Sequence, residues 1–300
     1  MLGRVLLRLP HRTLELTPGR PALMGIVNAS PESFSDGGLL ATVDVQVAAA
    51  LDQVTAGAAI IDVGGESGVT GQAALTPSDE IARVVPLVER LVAEGVTVSV
   101  DTWKPEVARA VLTAGAHMIN DVSGLRDTGL ADACAEHGAA LVIMHTGAAP
   151  KRKEFPAYGD VVAEVRAFLE ARMALAISHG VAADGIVLDP GPDFGKTPAQ
   201  TVALLRHLGD LRDLGRPVLL AASRKDFIGA LTERPPRARL AGTLAAVAFG
   251  VDQGASLLRV HDVADVADFL AVRSALTGDV DVPDDLRLAD GLRREPQAAP

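Results

Sequence analysis

Eight short apolar runs in the 300-residue sequence each end on side chains able to bind or transfer something. They are followed by Asn28; Asp62 with Glu66; Asp101; Asn120 with Asp121; His145; Asp189; Ser223, Arg224 and Lys225; and Arg259 with His261. Asn120 and Asp189 offer the planar donors and acceptors that a fused heterocycle with amide and amine edges requires. A carboxylate at position 189 can accept two parallel hydrogen bonds from an N–H and an exocyclic NH2. Lys225, Arg259 and His261 add cationic donors of the kind that hold phosphate. A polar residue at one strand end is explained equally well by the chain returning to solvent. All eight together, acids and bases mixed, point to a concave polar site for a flat head carrying an anion.

The elements that must position these residues read as strands at 22–27, 58–63, 96–100, 117–120, 140–144, 185–189, 217–222 and 256–260. Between them lie segments with apolar residues spaced by three and four, such as 79–95, 160–180 and 238–254, several closing on glycine. A repeated strand, helix, glycine, strand rhythm means parallel strands with crossover helices, and eight units close an α/β barrel of the (β/α)8 TIM type. An open doubly wound sheet is the alternative. In such a barrel the active site lies at the carboxyl ends of the strands, where the polar residues fall. Residues 1–20 read as a β-hairpin, "RVLLRL" and "RTLEL", that could plug the amino-terminal end. Residues 1–278 are taken as one barrel domain and 279–300, rich in Asp, Arg and Pro, as a frayed tail.

Composition excludes several classes. A formal net charge of -10 argues against a general binder of nucleic acid or anionic membranes. An aromatic content of 3% leaves no base-stacking platform. One cysteine, Cys134, rules out an intramolecular disulfide or a multi-cysteine metal site and fits a reducing cytoplasm. No apolar run is long enough for a membrane helix, and Arg4 and Arg8 interrupt the start as no secretory signal would.

Seven segments, in order, carry a resemblance: "MGIVNASPESFSDGG", "IIDVGGES", "VSVDTWKPEVARAVLTAGAHMINDVSGLRD", "VIMH", "LDPGPDFGKT", "SRKDFIG" and "LLRVHDV". Together the chain resembles dihydropteroate synthases, the folate-pathway transferases that join 6-hydroxymethyl-7,8-dihydropterin pyrophosphate to 4-aminobenzoate with loss of pyrophosphate. The resemblance implies that Asp101, Asn120 and Asp189 grip the pterin edge, with Lys225 reaching the ring and Met144 and Phe194 beside it. It implies that Asn28, Arg259 and His261 hold the pyrophosphate, Asn28 together with Mg2+. Asp36 and Asp101 would help order the closed site, so Asp101, Lys225 and Asp36 are the candidate catalytic residues. Asp62 is read as structural and left outside the site. The family's homodimer would use helices near the chain's end, at 242–251 and 263–272.

The chain departs from the family pattern where the second substrate should arrive. After "GGES", Gly68 and Val69 stand where the family has Thr and Arg, removing a cation over the reacting centre. In "SRKD", Asp226 replaces a serine that receives the 4-aminobenzoate carboxylate. Two like charges at ~4 Å cost on the order of 1 kcal/mol in water and ~4 at a partly shielded site. Smaller changes are Ser30, Glu32 and "GPDFGK" in place of a glycine-rich run. Two outcomes stay open: a transferase for 4-aminobenzoate or an altered aryl amine, and a paralogue that binds pterin with little synthase activity. Pterin-binding methyltransferases and a generic phosphate-binding barrel fit less well, given "SRK", "RVHDV" and the pair Asn120 and Asp189.

Overall fold

The structure, a computed structural model, describes residues 5–17, 19–29, 42–66 and 73–292. It opens with the hairpin β1 (Val5–Leu9) and β2 (Arg12–Leu16), paired antiparallel as an isolated two-stranded sheet. Strands and helices then alternate: β3 (Ala22–Asn28), α1 (Val43–Thr55), β4 (Ala58–Gly64), α2 (Pro77–Ala93), β5 (Val98–Asp101), α3 (Pro105–Thr113), β6 (Met118–Asp121) and α4 (Gly129–His137). The second half continues with β7 (Ala140–Met144), α5 (Val161–Ser178), β8 (Ile186–Asp189), α6 (Pro198–Arg206), β9 (Leu219–Leu220), α7 (Asp226–Thr232), α8 (Leu240–Asp252), β10 (Leu257–Val260) and α9 (Val263–Leu276).

Strands β3 to β10 form one parallel sheet in the order β8-β7-β6-β5-β4-β3-β10-β9. A parallel bridge between Leu188 and Val218, with the Leu188 amide donating to the Pro217 carbonyl at 2.9 Å, joins the two ends into a barrel. The eight strands read from the sequence are these eight. The largest difference is at 217–222, where only Leu219–Leu220 keeps ladder geometry. Pro217 has no N–H to give, so β9 begins late.

Two apolar cores follow from the two faces of each strand. The outward face packs on the helices through Ile61, Val63, Val98, Val100, Ile119, Leu141, Ile143 and Leu188. The inward face forms a second cluster in which Met24, Ile60, Met118, Val142, Val187, Leu219 and Leu257 meet Leu7, Leu9 and Leu16 of the hairpin. The hairpin therefore stoppers the amino-terminal end of the barrel with leucine, leaving a well open at the other end.

Side chains alternate across a strand with a period of two. Two residues beyond Ile60, Met118, Val142, Val187 and Leu257, on the same inward face, stand Asp62, Asn120, Met144, Asp189 and Arg259. Strand β5 supplies Ser99 and then Asp101 in the same sense. Every strand but β5 thus contributes an apolar residue to the plugged floor and, one step up, most contribute a chemical group to the well.

Helix starts are set locally. Thr76 caps α2, accepting from the Asp79 amide at 3.2 Å, and Pro77 pre-sets the first turn. Thr197 and Gln200 form a reciprocal capping box on α6. These caps fix where each strand-end loop must finish.

Candidate active site

The centre of the well is an ionic knot around Arg259. Its Nε donates to Asp62 Oδ2 at 2.6 Å and its Nη2 to Asp101 Oδ2 at 3.3 Å. Asn120 Nδ2 donates to the same Asp62 oxygen at 3.0 Å. Asp62 is completely buried, and its Oδ1 has no hydrogen-bond partner among the described residues. Because the Asn120 amide nitrogen is used on Asp62, its carbonyl oxygen is left to face a ligand as an acceptor. Asp62, read from the sequence as structural, thus lies in the well and orients two of the residues expected to bind substrate. Counting two positions onward from the inward-facing Ile60 was the signal that could have found it.

Burial pushes the Asp101 carboxyl up to about 7; Arg259 opposes the rise, and Asp62, Glu80 and Asp121 reinforce it. Burial likewise raises Asp189, against its hydrogen bond from the Gly191 amide and the charges of Lys225 and Lys196. Arg259 is disfavoured as a cation by burial, but Asp62 and Asp101 overcome this and hold it above its ordinary value.

Lys225 precedes α7 and extends over the Phe194 ring, with Nζ 4.0 Å from the ring centroid. Burial lowers its pKa, and Asp189 and Asp193 counter that. Met144 closes the wall at the end of β7, 1% exposed. His261 follows β10; its backbone N–H donates to Ser223 Oγ at 3.2 Å, and its Nδ1 lies 3.0 Å from the same hydroxyl. Loss of solvent, then Arg259 and Arg224, push the imidazole down to about 4, so it is neutral at pH 7. Arg224 is taken by Asp262, to which its Nε donates at 3.0 Å while Nη2 pairs with the other oxygen. The cluster of cations at the last two strand ends is therefore less positive than its composition reads.

Asn28 ends β3 beside Gly64 of β4, with its amide exposed at the mouth. Asp36, Gly68, Val69, Ser30 and Glu32 lie outside the described residues. Asp226 is exposed and pairs with Arg239 Nη1 at 3.0 Å. Beside it the Phe227 amide donates to Asp193 Oδ2 at 3.0 Å, and Asp193 also accepts from Thr201 Oγ1 at 3.0 Å. Both departures from the family's glycine- and serine-bearing pattern thus place carboxylates around the first turn of α7.

Below the rim, Glu66 ties three loops together. Its carboxylate pairs with Lys104 at 2.7 Å and Lys151 at 3.0 Å, and Lys104 also pairs with Glu80 at 2.5 Å. Burial alone would raise the Glu66 pKa, but the bonds from Lys104 and Lys151 lower it. Glu66, the last residue described before Gly68, is held by charge through Lys104 to α2 and the loop after β5, and through Lys151 to the loop after β7.

This architecture and these motifs recur in known proteins. The family described as pterin binding enzymes matches residues 24–261. Dihydropteroate synthase of Mycobacterium leprae is 44% identical over 84% of this chain and 92% of its own. The solved dihydropteroate synthase of Xanthomonas albilineans with 4-aminobenzoic acid is 46% identical, with a TM-score of 0.85 over 94% of this chain and 100% of its own. That of Thermus thermophilus in complex with 6HMPPP is 40% identical, with a TM-score of 0.78 over 90% of this chain and 99% of its own. The chain belongs to the dihydropteroate synthase family of pterin-binding enzymes and is a transferase of that type.

Proposed function

We propose that the well binds 6-hydroxymethyl-7,8-dihydropterin pyrophosphate and transfers its pterin-methyl group to an aryl amine, releasing pyrophosphate for folate synthesis. The observation that carries this reading is the arrangement of Asp62, Asp101, Asn120, Asp189, Lys225 and Arg259 inside one end of a barrel plugged at the other. Asp101, Asp189 and the Asn120 carbonyl present acceptors, which suits a heterocycle edge made of N–H and NH2 donors. Lys225 and Phe194 cover that edge, and Met144 lines it. The relative from Thermus thermophilus is solved in complex with 6HMPPP, which supports the same ligand here.

Asn28, Arg259 and His261 would receive the pyrophosphate. Mg2+ fits beside Asn28, whose single neutral oxygen suits an ion that keeps waters and takes substrate phosphate oxygens. Bound there, it would neutralise the charge of the departing pyrophosphate. The protein's own share is positional: acceptors stabilise the electron-rich pterin as its methylene becomes cationic, and the closed floor excludes water from below. Lys225, Asp101 and Asp36 are the groups we assign to that developing charge.

The acceptor half is altered. A carboxylate approaching the first turn of α7 meets Asp226, and the Phe227 amide is already occupied by Asp193. Together with Gly68 and Val69 in place of Thr and Arg in the sequence, these residues favour weak use of 4-aminobenzoate or an aryl amine without a carboxylate. A pterin-binding paralogue of low synthase activity is the second reading favoured by the same carboxylates. Calorimetry with the pterin pyrophosphate and Mg2+, followed by 4-aminobenzoate, tests both halves. Pterin binding is expected at submillimolar or tighter Kd, with a weak second event; absence of pterin binding overturns the function.

We place the protein in the cytoplasm as a homodimer. The buried lone thiol Cys134 supports the first, together with the finding that no helix among the described residues is long and apolar enough to cross a membrane. Exposed Phe249 on α8 and Val272 and Leu276 on α9 support the second.

A further inference from the structure

Lys196 is 1% exposed and makes no ion pair of 4.0 Å or less with a described residue, a rare setting for an ammonium. Its Nζ donates instead to three backbone carbonyls: Gly191 at 2.8 Å, Phe194 at 3.1 Å and His145 at 3.3 Å. Two of these belong to the turn after β8 and the third begins the loop after β7. All three N–H bonds of the ammonium are used on carbonyls; burial pushes its pKa down to about 7, and the charges of Asp189 and Asp193 counter that.

The turn is wound around that ammonium. Gly191, Asp193 and Gly195 all have left-handed backbones, at φ 64°, 66° and 62°. A Cβ at Gly191 would collide with the His145 carbonyl oxygen, and one at Gly195 would lie 2.9 Å from the Gly147 nitrogen. This packing brings the carbonyl dipoles together, negative ends inward, an arrangement that costs free energy unless a cation sits among them. The same turn carries Asp189, whose Oδ1 accepts the Gly191 amide at 2.7 Å, and Phe194, whose ring lies under Lys225. Tyr158 from the loop after β7 braces it by donating its hydroxyl to the Gly195 carbonyl at 3.1 Å.

We propose that Lys196 is a positioning residue for the transferase reaction: its ammonium, caged by the carbonyls of His145, Gly191 and Phe194, sets the Asp189 carboxylate and the Phe194 ring at the geometry that recognises the pterin. It touches neither substrate. The proposal rests on the functional reading above, because Asp189 and Phe194 are given their pterin role there. Its effect is directional. Lys196 governs the wall that carries Asp189 and Phe194; among the described residues its turn reaches the acceptor side only through the bond from the Phe227 amide to Asp193, which the ammonium does not itself touch.

The variant Lys196→Met keeps the stem and removes every donor. Steady-state kinetics with the pterin pyrophosphate, Mg2+ and 4-aminobenzoate should show the pterin KM raised about tenfold or more, with the 4-aminobenzoate KM within about twofold of wild type. Pterin Kd by calorimetry should rise in parallel. Lys196→Gln, which retains two N–H donors, should fall between the two. A residue needed only for folding would lower the thermal midpoint and the active fraction without splitting the two KM values. An unchanged pterin KM in both variants overturns the proposal, as does a parallel loss in both substrates or failure of both variants to fold. Wild type separates the two levels of the argument. If it binds no pterin pyrophosphate, the functional reading itself fails; if it binds and Lys196→Met binds equally well, only the role of Lys196 fails.

Discussion

Replacing Asp62 by asparagine removes one charge and almost no volume from the centre of the well. The carboxylate is fully buried, accepting from Arg259 at 2.6 Å and Asn120 at 3.0 Å through one oxygen. Deleting one partner of a buried ion pair costs about 3–5 kcal/mol. Asparagine keeps a neutral acceptor for Arg259, and Asp101 at 3.3 Å retains part of the guanidinium, so the loss is reduced to about 2–3 kcal/mol. The amide also brings an NH2 that must turn away from Asn120 or force Asn120 to turn over, which would present its nitrogen to the ligand. Expressed wholly in binding, the loss raises the pterin Kd by about 30–150-fold; expressed wholly in stability, it lowers Tm by roughly 3–5 °C. Calorimetry and thermal unfolding of the same Asp62→Asn preparation measure both channels. A pterin Kd within about threefold of wild type together with an unmoved Tm would refute the claim that Asp62 organises the site.

Other expectations follow from the same geometry. Asp226→Ser removes a carboxylate from the first turn of α7 and should lower the 4-aminobenzoate KM about fivefold, the equivalent of ~1 kcal/mol of repulsion in water; a higher KM would contradict the reading of that turn. Asp101 is held up at about 7 against an ordinary 3.8, so the folded chain keeps a proton that the unfolded chain has lost. This contribution to stability is complete below about pH 4 and disappears as pH rises through about 7. Asp101→Asn should therefore gain on wild type between about pH 5 and pH 8 by at most about 3 kcal/mol, less because the side chain is 25% exposed. Denaturant titrations giving the same difference at both pH values would count against it. Lys104→Met takes the paired cation from Glu80 and leaves Glu66 with Lys151 alone among the described cations, and should cost about 3–5 kcal/mol by the same titration. Leu7→Ala opens a cavity where the hairpin meets the barrel floor and should cost about 2–5 kcal/mol while leaving pterin Kd unchanged.

Much of this site is legible in the sequence because a parallel barrel translates sequence position into spatial position simply. Apolar runs of four to six residues mark its strands, and the polar residues at or just past the end of each run face the rim. Asn120, Asp189 and Arg259 are found that way. Asp62 is missed when it is treated as part of a turn, although β4 runs to Gly64 and Asp62 shares the inward face of Ile60. Charges counted singly also mislead. Arg224 looks available until Asp262 from the following strand end is seen to engage it, a contact between residues 38 apart. His261 counts as a cation until its burial, and then its two guanidinium neighbours, are taken into account. Lys196 carries no readable signal, because the groups that hold it are main-chain carbonyls, which every residue possesses and only the winding of the turn brings together.

The central claim is that this well performs pterin transfer to an aryl amine. The direct measurement is product analysis after incubating the purified protein with 6-hydroxymethyl-7,8-dihydropterin pyrophosphate, Mg2+ and 4-aminobenzoate, following dihydropteroate and pyrophosphate together. The expected result is both products in equal amounts, formed with a high KM for 4-aminobenzoate that Asp226→Ser lowers. Pterin pyrophosphate recovered intact, with neither product formed by wild type or by Asp226→Ser, would contradict it.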